Sequence, residues 1–69
     1  MSNTYKMVTL IGTSPESYET AIDNALKDAS VSLRNLSWFE VVEQRGRVHE
    51  GRAAEFQVKI QVGFKVEVS

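Results

Sequence analysis

Trp38, Gly63 and Gln57 are the residues whose types best suit a flat guest. An indole with a free face takes planar heteroaromatic rings by stacking, and a neighbouring primary amide offers both an acceptor and donors to read a ring edge. A glycine facing the tryptophan would leave the ring a flat surround. Each residue also has a plainer explanation. A single tryptophan can be half-buried beneath a loop or in a subunit contact, and glutamine is common at alternate positions of a solvated strand.

A second group is Arg45, Arg47, His49 and Arg52, four potentially positive groups within eight residues. They could hold a phosphate through charge-assisted hydrogen bonds, for which the planar arginine fork is well shaped. They could equally form a solvated hairpin tip balanced by Glu43, Glu50 and Glu55. Thr13 and Ser14 could receive an anion at a helix start, although capping explains them more simply. Catalysis has little support. There is no nucleophile with an evident base, no glycine-rich phosphate loop and no metal-ligand spacing. Glu40 and Glu43 fall on opposite faces of an unbroken strand, so they do not form a carboxylate pair. The chain reads as a binding protein and not as an enzyme.

The elements that must position these residues follow from periodicity. Tyr5 to Ile11 is a short run with β-branched and aromatic members, closed by Gly12 and Thr13, and predicts a first strand. Ser14 and Pro15 predict a helix start, with Glu16 and Glu19 near the positive end of its dipole. Tyr18, Ile22, Ala25, Ala29 and Leu33 then recur at helical spacing, widened by Ala21 and Leu26, so one face is buried. After Asn35 the period falls to two. Leu36 to His49 and Ala53 to Val68 predict two long strands joined at Glu50-Gly51, where glycine tolerates the positive backbone angles of a tight hairpin. In the last strand Ala54, Phe56, Val58, Ile60, Val62, Phe64, Val66 and Val68 alternate with polar residues.

The result is an α+β chain in the order β-α-β-β. A helix of about 19 residues spans roughly 29 Å, whereas each long strand reaches about 45 Å. The strands overreach the helix and must curl around it or meet a neighbouring subunit. A two-residue turn pairs strand residues whose numbers sum to 101, which puts Trp38 opposite Gly63. Phe39 and Val41 then share the core side with Val58, Ile60 and Val62. Trp38, Glu40, Val42 and Gln44 share the other side with Gln57, Lys59, Gln61 and Gly63. A bulge near Arg45-Gly46 would shift this register.

Composition bounds the rest. Sixty-nine residues predict one domain, 1–69, whose core alone leaves stability marginal. There is no cysteine and only one histidine, which removes disulfides and thiolate metal sites and leaves oligomerisation as the natural support. The formal net charge is -1, so no long-range field draws the chain to nucleic acid or an anionic membrane. No apolar run is long enough to span a bilayer, and Met1 to Lys6 carries no secretory pattern, so a cytoplasmic location is expected.

Gly12-Thr13-Ser14, Trp38-Phe39-Glu40-Val41, Arg45-Gly46, Phe56-Gln57-Val58 and Val62-Gly63-Phe64 together resemble the dodecin family of small flavin-binding proteins. The resemblance runs from Tyr5 to Glu67 without a gap. It implies a three-stranded antiparallel sheet partly wrapped around one helix, with twelve copies in a hollow homododecamer of cubic symmetry. It implies that Trp38 stacks on a flavin isoalloxazine ring, with two flavins face to face between symmetry-related tryptophans. Gln57 would bond the pyrimidine edge, and Arg45 would reach the flavin. By extension Arg47 and His49 would serve an FMN phosphate, with FMN or riboflavin as the expected flavin. The implied role is storage and sequestration of flavin, with the indole quenching its photoexcited state. Some members also bind coenzyme A, for which Tyr5, Lys6 and the basic cluster are candidates. Lys65 departs from the arginine expected at a subunit contact and loses the planar fork. The competing readings are a coenzyme A or nucleotide-cofactor carrier and a scaffolding domain without a small ligand.

Overall fold

The computed structural model describes residues 3–67. Four elements follow in order: β1 (Tyr5–Ser14), α1 (Tyr18–Ala29), β2 (Leu36–His49) and β3 (Arg52–Lys65). The strands form one antiparallel sheet in the order β1-β3-β2. This is the β-α-β-β arrangement expected from the sequence. The central place goes to β3, whose regular alternation can serve two partners and a helix at once. Its Val58, Ile60 and Val62 are fully buried and meet Ala21 and Ala25 of α1, with Val8, Leu10, Tyr18, Ile22, Leu26 and Leu36 around them. Burying each β-branched side chain stabilises the fold by about 1.5–3 kcal/mol.

The element boundaries differ from expectation in informative ways. β1 does not stop at Gly12 but pairs with β3 as far as Ser14 opposite Phe56. Gly12 stays in the ladder because the backbone of Ala21 comes down on it where a side chain would stand. Ser14 is therefore a strand residue, buried, and its hydroxyl accepts from the Glu16 backbone N–H at 3.0 Å. The helix cap is Ser17, with extended backbone and a hydroxyl accepting from the Thr20 N–H at 3.0 Å. At the other end α1 stops at Ala29, not Leu33. The Leu33 N–H still bonds the Ala29 carbonyl at 2.9 Å, and Asn35 at φ 61° turns the chain into β2. β3 ends at Lys65, short of the expected Val68, which itself lies outside the described residues.

The hairpin turn is as expected, with Glu50 at φ 51° and Gly51 at φ 76°, the left-handed pair of a type I′ turn. The register sum of 101 holds from Trp38 with Gly63 to Val41 with Ile60 and again at Val48 with Ala53 and His49 with Arg52, but not between these stretches, and beyond Ser37 a further shift pairs Leu36 with Phe64. Ala54 is an extra residue on β3 and Val42 an extra residue on β2. Between these bulges the pairs sum to 102: Glu43 faces Lys59, Gln44 faces Val58, Arg45 faces Gln57 and Arg47 faces Glu55. Each bulge reverses which residues point to which face. Gln44 thus moves to the helix side, contrary to expectation, and Glu43 joins Glu40 on the far side.

Phe39 and Val41 do share a face with the core, opposite Val62 and Ile60. They are nevertheless 44% and 43% exposed, because α1 lies over β1 and β3 and leaves β2 uncovered. The molecule is correspondingly drawn out, 54 × 20 × 13 Å.

Two serines precede the helix, and only one caps it. Ser17→Ala is therefore expected to cost about 1 kcal/mol of stability, read by urea unfolding at fixed protein concentration. A loss within a few tenths would show that the Ser17 bond is idle.

Candidate functional site

The sheet face turned away from α1 carries the candidate residues. At one end Trp38 lies over Gly63. A Cβ built on Gly63 would stand 2.5 Å from the indole Cε2 and Cζ2 atoms and 2.7 Å from Cη2. Three ring carbons at so short a range mean that the six-membered ring rests flat against bare backbone. Any side chain at position 63 would lift it. Tyr5, from the opposite edge strand, meets the indole edge-on, with centroids 5.0 Å apart and planes at 61°. That contact crosses β3 above Gly63, since Tyr5 pairs with the adjacent Lys65. The indole is seated from below and steadied from one side, yet 44% of Trp38 is exposed. A half-open aromatic face on a rigid seat can receive a flat ring by stacking.

Further along the same face the two bulges bring together a polar group. The Arg45 Nε–H donates to Gln57 Oε1 at 3.0 Å, and Gln57 Nε2–H donates to Glu55 Oε1 at 2.8 Å. Arg47 Nε lies 3.5 Å from the same Glu55 oxygen. The four side chains occupy two neighbouring rungs, Arg45 with Gln57 and Arg47 with Glu55. His49 Nε2 stands 3.8 Å from Glu50 Oε1. The register also assigns Arg52, opposite His49, to this face. Midway, Lys59 Nζ reaches Glu43 Oε1 at 3.9 Å, so the Glu43 carboxylate faces an ammonium although it shares a face with Glu40.

The structure brings Trp38 together with Gly63, and Arg45 with Gln57, but it does not bring the two pairs together. Gly63 and Gln57 are six residues apart on β3, roughly 20 Å at about 3.3 Å per residue. One protomer cannot apply both to a single tricyclic ring. Two members of the face carry other readings in the sequence analysis, Tyr5 as a coenzyme A candidate and Glu55 as charge balance at the hairpin. The place of Tyr5 beside Trp38 follows from extending the register to β1, and that of Glu55 from its position two residues before Gln57, on the same side of the strand.

The helix side holds an apolar groove of about 380 Å³ along the uncovered strip of β2, lined by Leu26, Lys27, Leu36, Phe39 and Val62 among others. Among the described residues no three His, Cys, Asp or Glu side chains gather to hold a metal ion. No helix among them is long and apolar enough to cross a membrane.

Comparison with known proteins matches residues 4–67 to the family described as Dodecin. A protein named dodecin from Thermus thermophilus is 49% identical over 67 residues, 97% of each chain. A protein named calcium dodecin from Mycobacterium tuberculosis is 34% identical over 62 residues, 90% of this chain and 87% of that one. The solved structure of dodecin from Streptomyces coelicolor has a TM-score of 0.93 at 42% identity, covering 97% of this chain and 96% of that chain. Sequence match and backbone match both run through every strand, the helix and the hairpin, so this chain belongs to the dodecin family.

Proposed function

We propose that this protein binds and stores a flavin, FMN or riboflavin, in a hollow homododecamer, with Trp38 as the stacking residue. The observation that carries the reading is the indole lying flat on Gly63 with much of its ring open. Flavin binding is the general function of the family, although the calcium-named relative indicates that the ligand varies within it. The residues fit such a guest. Trp38 supplies a planar apolar surface, and Gln57 supplies an amide whose bonds to Arg45 and Glu55 leave one lone pair and one N–H unclaimed.

A bound flavin supplies a strongly absorbing ring that is oxidising when excited. Trp38 would be the residue to lie against that ring and, as an electron-rich indole, the group that could lend it an electron and recover it. Gly63 fixes the height of the indole and Tyr5 fixes its tilt. Gln57 orients the guest by its edge. Because Trp38 and Gln57 are about 20 Å apart along one sheet, the amide that reads the edge comes from a second copy. Storage therefore requires assembly. Arg47 and His49 have Glu55 and Glu50 as neighbours, but the Arg47 contact is through Nε alone, so its terminal N–H groups remain open to an FMN phosphate.

Trp38→Ala is expected to weaken riboflavin binding roughly 5- to 150-fold, the range of ~1–3 kcal/mol for aromatic stacking of a base, and to abolish most quenching in a fluorescence titration. Unchanged affinity in that variant rules out the stacking role. A complementation test addresses the shared site. Trp38→Ala and Gln57→Ala subunits, each weak alone, are unfolded, mixed and reassembled. Recovery of a tight-binding fraction is expected, because some sites then combine an intact Trp38 with an intact Gln57 from another chain. No recovery would mean that each site draws both residues from one chain.

A further inference from the structure

Gln57 carries two internal hydrogen bonds of opposite sense. Its oxygen accepts from Arg45 at 3.0 Å and its nitrogen donates to Glu55 at 2.8 Å. A primary amide has two nearly isosteric orientations, and its surroundings choose between them. Turned over, Gln57 would set its NH2 against the Arg45 donor and its oxygen against the Glu55 carboxylate. Both contacts would then be repulsive. Arg45 is solvent-exposed and reaches across from β2, whereas Glu55 lies on the same strand as Gln57 and is only partly exposed. Glu55 is itself held by Arg47 from the facing rung.

We propose that Glu55 is the positioning residue that locks the Gln57 amide in one direction and so makes the site selective for a ring edge carrying a carbonyl beside an N–H. The inference rests on the flavin reading above and adds a determinant of specificity to it. With the amide locked, its free lone pair accepts from an imide N–H and its free N–H donates to the adjacent carbonyl. A ring methylated at that nitrogen offers no donor to the free lone pair and keeps at most the bond to its carbonyl. Glu55 touches no ligand in this account. Its effect passes entirely through Gln57.

The test compares riboflavin with 3-methylriboflavin, whose imide N–H is blocked, in fluorescence titrations of the assembled protein. The wild type is expected to prefer riboflavin by about tenfold, the scale of one or two well-made hydrogen bonds. Glu55→Ala is expected to lose most of that preference by weakening riboflavin alone, and Gln57→Ala to remove the remainder. Native mass serves as the check that each variant still assembles. Should Glu55→Ala fail to assemble, Glu55→Gln keeps the volume, removes the charge that rejects the turned-over amide, and is expected to lower the preference as well. An equal loss for both flavins would mean that Glu55 acts through the assembly, and an unchanged preference would mean that Arg45 alone orients the amide. Either result overturns the proposal. A wild type with no preference overturns this role of Gln57 while leaving flavin storage intact, whereas a wild type that binds neither flavin overturns the storage reading and this inference with it.

Discussion

The constraint from which the rest follows is a mismatch of lengths. α1 has 12 residues and β2 and β3 have 14 each, which gives a helix of about 18 Å against strands of about 46 Å. One short helix cannot cover three strands. It covers β1 and the middle of β3, where Val58, Ile60 and Val62 become fully buried, and it leaves β2 with apolar residues bare on both faces. Phe39 and Val41 stand on the helix side, Trp38 on the other, and Val42 at the bulge, all more than two-fifths exposed. At about 25 cal/mol per Å² of apolar surface removed from water, that is stabilisation the protomer alone does not obtain. It becomes available only when another copy or a guest covers the strip.

The pair of bulges decides what else shares the face with Trp38. On an unbroken hairpin the alternation that puts Trp38 away from the helix would turn Arg45, Arg47 and His49 toward it. There they would be parted from Gln57 and Glu55, which stay on the far face, and would lose the contacts they make to them. The extra residue at Val42 reverses the parity of β2, and the extra residue at Ala54 reverses that of β3, so the hairpin closes in its original register. Between them the basic residues face Gln57 and Glu55. The bulges are thus the device that lets one strand carry a half-open aromatic at one end and a polar network at the other on the same side.

Much of this was readable in the sequence where a local rule and the tertiary demand agree. The strict alternation of Val58, Ile60 and Val62 marked the last strand, although not its central place, Glu50-Gly51 marked the turn, and summing positions to 101 placed Trp38 opposite Gly63. The failures lie where a residue satisfies two rules at once. Ser14-Pro15 and Ser17 are both acceptable helix starts, and the choice falls to Ser17 because pairing with β3 keeps Ser14 extended. Gln44, Glu43 and Arg45 carry no mark that a bulge precedes them, since Val42 is an ordinary strand residue. The linkage of Gln57 to Arg45 and Glu55 was hidden for the same reason. It depends on a register that the sequence alternation does not encode.

In the proposed flavin site, the separation of the two half-sites has a consequence for how tightly a guest can be held. Each half is finished within its own protomer: the indole is seated on Gly63 and steadied by Tyr5, and the amide is fixed from both ends by Arg45 and Glu55. Bringing copies together then aligns two ordered surfaces and does not have to order either one. Association of preorganised groups avoids the side-chain entropy that otherwise offsets contact energy. The same reasoning explains why the outer face can remain exposed in the protomer without becoming loose. Its aromatic is held by backbone and its amide by charges, so neither depends on the ligand for its geometry, and the ligand's binding energy is left for the contacts that distinguish one flat ring from another.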